Sequence, residues 1–135
     1  MFTQNLILNT DSYKASHFLQ YPKGTQVVSS YIEARGGRFA QSVFFGLQAF
    51  LKAYLLQPIT LSDIDEAEML FTAHGVPFNR ADWEYIVQQY DGYLPLEISA
   101  LPEGSVVPTG NALVQVHNTN PRAFWLTSYI ETALL

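Results

Sequence analysis

Cysteine is absent from the 135 residues of this chain. Without it, neither a disulfide framework nor a thiolate metal site can form, which fits a reducing compartment. Charged residues are also scarce, and the net charge at pH 7 is −5. This sign argues against a nucleic-acid partner, because domains that bind nucleic acid usually carry a basic patch.

Long apolar runs and a secretory start are missing too. No run approaches the ~18 apolar residues of a membrane span, and the first five residues lack the basic start of a signal peptide. We therefore expect a cytoplasmic chain without a membrane partner. No Walker-type loop, GxGxxG or GxSxG element is present. His74 and His117 lack the paired spacing of metal ligands, so we expect no metal site within the chain.

Apolar residues, by contrast, make up 48% of the sequence, which is rich for so short a chain. This excess indicates that part of the surface is covered by something else. The last residues, 122–135, are strongly apolar and lack a capping glycine or a basic last turn. We expect residues 1–135 to belong to a larger folding unit, with residues 122–135 contributing to the apolar face that contacts the remainder.

Local signals predict an α+β chain. Helices are expected at residues 12–20, 44–56, from a cap at Thr60 or Ser62 to Gly75, from Asn79 to Gly92, and from Asn120 onward. Strands are expected at residues 25–35, 94–101 and 112–117. The last two form a hairpin around turn-rich residues 102–111.

The chemistry of the chain is densest in residues 10–22, which combine an acid, a base, an imidazole, three aromatic rings and several hydroxyls. Tyr13 could stack on a flat heterocycle, with Asp11 orienting a ligand hydroxyl. Lys14 or His17 could contact phosphate. Spacing alone favours a structural alternative, in which Asp11 caps the helix and the rings join the core.

Arg35 follows the first predicted strand and precedes a Gly-Gly turn, a position that often presents a side chain to ligands. Its guanidinium matches phosphate bidentately. The alternative is an ion pair with Glu33 or a solvated tip. Basic residues outnumber acidic ones within residues 1–40 but not beyond, so a small anion would sit best there.

Residues 102–114 contain the alternation of turns and short strands that is typical of lipoyl- or biotin-carrier modules. Those modules need a lysine to carry the cofactor. No lysine follows Lys52, so the carrier interpretation fails.

Several stretches taken together resemble the nicotinamide phosphoribosyltransferase family. They occur in family order across nearly the whole chain. The matching stretches are residues 10–14, 17, 20–22, 30–35, 44–48, 90–98, 101–104, 108–111, 125–127 and 130–132. The resemblance implies the partial N-terminal α+β domain of a type II phosphoribosyltransferase, with mostly antiparallel strands. Residues 1–120 would form this domain, and residues 121–135 would start a helix leading into an α/β barrel-like catalytic domain.

The resemblance implies that the full enzyme makes nicotinamide mononucleotide and diphosphate from nicotinamide and 5-phosphoribosyl 1-diphosphate in NAD salvage, with Mg²⁺. It also implies a homodimer, because members of that family have their active sites at the interface between two subunits. Tyr13 would stack on nicotinamide in the neighbouring subunit, Arg35 would hold the phosphorylated sugar, and Asp11 would lie in the same region. Lys14 and His17 remain possible phosphate contacts.

The resemblance assigns no catalytic residue and no cofactor to residues 1–135. Seven basic residues cannot stabilise an oxocarbenium-like centre and its diphosphate leaving group, so we expect no turnover by this chain alone. The alternative is a non-catalytic or split subunit that binds a partner chain carrying the barrel, or that regulates intact relatives by donating its Tyr13 edge. The choice between nicotinamide and nicotinate depends on residues beyond Leu135.

Overall fold

The computed structural model describes residues 5–135 and confirms the α+β class. Residues 1–4 of the predicted 1–120 domain lie outside the described residues. The strands are β1 (Ser29–Glu33), β2 (Gln41–Val43), β3 (Leu96–Ala100), β4 (Val106–Pro108) and β5 (Ala112–Asn118). The α-helices are α1 (Leu47–Phe50), α2 (Leu61–His74), α3 (Arg80–Tyr90) and α4 (Leu126–Leu134). A π-helical turn (Leu51–Leu55) continues α1, and 3-10 helices span Leu6–Leu8, Ser12–Leu19 and Pro121–Ala123.

Strand β5 is the centre of the main sheet and pairs antiparallel with β1 on one side and β3 on the other. Its apolar residues Val114 and Val116 are buried, as the alternation of its sequence predicts. The predicted pairing of the strands within 94–118 is therefore confirmed. Strands β2 and β4 form a second, two-stranded sheet that sequence patterns missed, because three residues are too few to show a period.

Helices α2, α3 and α4 enclose an aromatic core around Trp83, which is fully buried. The rings of Trp125 and Tyr129 meet it edge-on, with centroids 4.8 and 5.2 Å away. Such pairs stabilise by about 0.5–1.5 kcal/mol beyond their burial. The Tyr129 hydroxyl donates to the Ile7 carbonyl at 2.6 Å, and burial raises the pKa of Tyr129 well above its usual range.

Helix caps account for how well α2 was predicted. Thr60 and Asp63 form a reciprocal capping box, and Gly75 ends the helix in the left-handed conformation at φ 77°. Asp11, in contrast, makes no side-chain capping bond to the 3-10 helix that follows it, so its predicted role as a cap is wrong. Its carboxylate instead accepts hydrogen bonds from the hydroxyls of Thr132 and Tyr13.

The apolar character of residues 122–135 has an internal cause. Leu126, Tyr129 and Ile130 are buried in this chain's own core, where α4 packs against β1 and β5. The expectation that this helix offers an open apolar face is therefore wrong for those side chains, although Leu135 is exposed. The division into residues 1–120 and 121–135 stays a prediction. No helix within residues 5–135 is both long and apolar enough to cross a bilayer.

Gly92 provides a test of the packing between the end of α3 and the start of α2. Its φ is 83°, and a Cβ there would lie 2.2 Å from the Ile59 carbonyl oxygen. Backbone strain and the clash together should make Gly92→Ala lower the free energy of unfolding in urea by about 2–5 kcal/mol.

Gly110→Ala is the matched control, because Gly110 has φ 79° but a Cβ built on it would meet open space. We expect only the strain there, about 1–2 kcal/mol. Equal losses would contradict this explanation.

Candidate functional site

Three of the residues singled out by sequence lie together at the start of the 3-10 helix Ser12–Leu19. Tyr13 is 59% exposed, and its hydroxyl donates to the Asp11 carboxylate over 3.4 Å. Its ring centroid lies 5.3 Å from that of His17. The structure therefore presents an open aromatic face beside a carboxylate and an imidazole, which is suited to a flat polar ring.

Lys14 faces the opposite way from Tyr13. Its side chain is only 8% exposed, and its ammonium lies 3.1 Å from a carboxylate oxygen of Glu131 on α4. A buried ammonium is tolerated when such a partner compensates for lost hydration. A phosphate contact at Lys14 stays a prediction, since in this conformation Glu131 occupies the ammonium.

Glu131 connects three elements of the fold. One carboxylate oxygen pairs with Lys14, while the other accepts a hydrogen bond from the Ser30 hydroxyl on β1. The carboxylate thus joins α4 to the segment bearing Tyr13 and to the strand that leads to Arg35. Ionic and hydrogen-bonded contacts of this kind restrain geometry more strongly than apolar contacts, because they are directional.

Thr132, the next residue of α4, holds Asp11. Its hydroxyl donates to the Asp11 carboxylate at 2.9 Å and accepts from the Asp11 backbone N–H at 3.3 Å. Two consecutive residues of α4, Glu131 and Thr132, therefore bind Lys14 and Asp11, which flank Ser12 and Tyr13 in the sequence. A further bond, from the Thr10 hydroxyl to the Tyr129 carbonyl at 2.9 Å, extends this contact by one residue.

Arg35 lies in a separate cleft of about 490 Å³ at the end of β1. The walls come from β1 and from the last residues of α4, and Glu131 is part of the lining. Within residues 5–135, Arg35 makes no ion pair with Glu33, so its guanidinium is open to a ligand. Tyr13 is not part of this lining. The structure connects the two places through Glu131 rather than bringing them into contact.

His17 also borders a smaller cleft of about 200 Å³, with Gln20, Tyr21 and Pro22. Burial raises the pKa of Tyr21 above its usual value, the charge of Glu131 adds to the rise, and a hydrogen bond with Ser128 opposes it. Tyr21 is therefore neutral at physiological pH. No group of three or more His, Asp or Glu side chains could hold a metal ion in the part of the chain that the structure describes.

Sequence reasoning missed Glu131, Thr132 and Ser30 as parts of this site. A signal for Glu131 was present, because it is the sole charged residue of the sequence after Arg122. A charge within an apolar helix requires a partner. Nothing comparable marked Thr132 or Ser30, whose hydroxyls gain their roles from contacts about a hundred residues away along the chain.

The fold defines the class of protein. It is similar to the crystal structure of human nicotinic acid phosphoribosyltransferase, with a TM-score of 0.51 and 23% identity over 93% of this chain and 24% of that one. At that identity, the likeness shows the fold alone. It is the fold of part of a phosphoribosyltransferase, as the sequence resemblance implied.

The sequence identifies the particular family. The family model described as nicotinamide phosphoribosyltransferase, N-terminal domain, matches residues 5–98, and the chain belongs to this family. It is 54% identical to the nicotinamide phosphoribosyltransferase of Xanthomonas campestris pv. campestris over 99% of this chain and 29% of that protein. It is 36% identical to that of Acinetobacter baylyi over 98% of this chain and 30% of that protein. The chain thus spans about three tenths of the length of these relatives.

The Lys14–Glu131 pair gives a measurable expectation. Glu131→Gln leaves the Lys14 ammonium buried without its counter-charge and should cost about 2–4 kcal/mol in urea unfolding, below the range for fully buried pairs because Glu131 is 31% exposed. Adding Lys14→Met should recover most of that loss, because no unpaired charge remains.

Glu84→Gln is the control for this cycle. Glu84 is 33% exposed and pairs with Arg80, which is itself 34% exposed, so the charge left behind stays hydrated. We expect a clearly smaller loss than for Glu131→Gln. If the two single variants lose equal stability, or if Lys14→Met does not rescue Glu131→Gln, burial of Lys14 does not determine the energetics of this site.

Proposed function

We propose that this chain forms the N-terminal part of an enzyme that joins nicotinamide to 5-phosphoribosyl 1-diphosphate. The products are nicotinamide mononucleotide and diphosphate, in NAD salvage. The observation that carries the proposal is the exposed ring of Tyr13, held beside Asp11 within the segment that matches the nicotinamide phosphoribosyltransferase family. We also propose a cytoplasmic location, for which the cysteine-free sequence is the support.

In this proposal Tyr13 stacks on the nicotinamide ring in the active site of a second subunit, so the working enzyme is a homodimer. An aromatic side chain stacked on a heterocycle contributes about 1–3 kcal/mol to binding. The exposure of Tyr13 supports this role, because a ring that belonged to the core of its own chain would be covered. Asp11 would orient the Tyr13 hydroxyl, and His17 borders the same surface.

Arg35 would hold the phosphorylated sugar. Its open guanidinium, in a cleft of about 490 Å³, supports this role, because planar guanidinium groups bind phosphate oxygens in pairs. Mg²⁺ would arrive with the diphosphate of the substrate, and we assign none of its ligands to the described residues.

A second possibility is a non-catalytic or split subunit that binds a partner chain carrying the barrel. Exposed apolar side chains favour it, including Phe39, Val43, Phe45 and Val106, each more than 60% exposed. A protein interface would cover such a surface. The two proposals are distinguished by whether a separate barrel-bearing chain co-purifies with this one, which the second proposal alone requires.

The chain alone should have no turnover. Arg35 is the one open cation of the described cleft, and a diphosphate leaving group needs several donors to stabilise its charge. A coupled assay for nicotinamide mononucleotide, run with the purified 135-residue chain, checks this. Product above the no-protein background would contradict it.

A chimera tests the proposed function directly. This chain would replace the matching segment of the Xanthomonas campestris enzyme, to which it is 54% identical over 134 residues. We expect an active chimera in which Tyr13→Ala raises the KM for nicotinamide about 5- to 150-fold, the equivalent of the lost stacking, while Tyr13→Phe has a small effect.

Tyr93→Ala is the matched control, because Tyr93 is 50% exposed and lies outside the candidate site. It should leave the KM for nicotinamide unchanged. A folded but inactive chimera, or a Tyr13→Ala variant with an unchanged KM, would contradict the proposed function.

A further inference from the structure

Tyr13 has few contacts that fix its own ring. The ring is 59% exposed, its hydroxyl bond to Asp11 is long at 3.4 Å, and its ring contact with His17 is tilted. The 3-10 helix that carries it has poorer hydrogen-bond geometry than an α-helix. The position of the ring must therefore depend on how the residues around it are anchored.

Those anchors come from one place. Asp11 is bound through both its backbone N–H and its carboxylate by Thr132, and Lys14 is bound by Glu131. The contacts lie on both sides of Tyr13 along the chain, and both originate from the last turn and a half of α4. We call this pair of contacts the α4 clamp, meaning Glu131 and Thr132 with their partners Lys14 and Asp11.

The α4 clamp is itself rigidly supported. The neighbouring residues Ile130 and Ala133 are 1% and 5% exposed in the core, and Glu131 also accepts from Ser30 on β1. A short 3-10 segment is thus tied to an element that cannot move without opening the core. This arrangement keeps a solvent-exposed aromatic ring in place without covering its face.

We propose that Glu131 and Thr132 are positioning residues for Tyr13, acting on nicotinamide binding without touching nicotinamide. The inference rests on the proposed function. Loss of either contact leaves the ring free to sample orientations in which it cannot stack. The fraction of time spent in the stacking position falls, and the apparent affinity for nicotinamide falls in proportion. The chemical step, which Tyr13 does not perform, is left at its normal rate.

The test uses the chimera described above. Thr132→Val keeps the shape of the side chain but removes both hydroxyl bonds to Asp11, whereas Thr132→Ser keeps the hydroxyl. Thr132→Val should raise the KM for nicotinamide about three- to tenfold, a part of the stacking contribution, with kcat within about twofold. Thr132→Ser should stay near the parent value. Glu131→Gln with Lys14→Met removes the other contact of the α4 clamp and should also raise the KM for nicotinamide, while Glu84→Gln, a surface control, should change neither constant.

A double-mutant cycle separates positioning from general stability. On the Tyr13→Ala background, Thr132→Val should have almost no further effect on the KM for nicotinamide, because the ring that it positions is gone. An equal rise on both backgrounds would overturn the inference. So would an unchanged KM in both Thr132→Val and the Glu131→Gln, Lys14→Met double variant.

These results also separate the inference from the proposed function. If Tyr13→Ala raises the KM and the clamp variants do not, the function stands and the positioning role is overturned. If Tyr13→Ala itself has no effect, the role of Tyr13 fails and the positioning role fails with it.

Discussion

The carboxylate of Glu131 holds together the parts of this chain that carry its candidate chemistry. It neutralises the buried ammonium of Lys14 and accepts a hydrogen bond from the Ser30 hydroxyl, so one side chain joins the 3-10 helix Ser12–Leu19, β1 and α4. Burying Lys14 without this partner would be strongly unfavourable. The orientation of Tyr13 toward solvent follows, because neighbouring residues of a 3-10 helix point in different directions and Lys14 takes the inward one.

The same constraint separates two kinds of surface. The ring of Tyr13 is exposed beside Asp11, whereas Arg35 lies in a separate cleft that Glu131 also lines. A flat heterocycle and a phosphorylated sugar need these different environments, one for stacking and one for charge. Membership of the nicotinamide phosphoribosyltransferase family agrees with a division of this kind, while the reaction itself remains our proposal.

Features that depend on neighbouring residues could be predicted from the sequence. Helix α2 is the best case, because Thr60 and Gly75 determine its ends through bonds within a few residues. The prediction of a helix at residues 44–56 is less accurate. Gly46, at φ 103°, delays the start of the helix, and a π-helical turn replaces its second half. In the site, the family resemblance implied ligand-binding roles for Tyr13 and Arg35, whereas spacing alone favoured a Tyr13 ring in the core, which its 59% exposure contradicts. The burial of Lys14 could not be predicted, because its partner is 117 residues away.

The account's central claim is that the α4 clamp holds Tyr13 where it can stack on nicotinamide. A crystal structure of the active chimera with nicotinamide mononucleotide bound tests it most directly. We expect the Tyr13 ring to lie parallel to the pyridine ring of the second subunit's ligand at van der Waals distance, about 3.5–4 Å, with Lys14–Glu131 and Asp11–Thr132 both intact. A pyridine ring bound without Tyr13, or a Tyr13 ring in place with both contacts broken, would contradict the account.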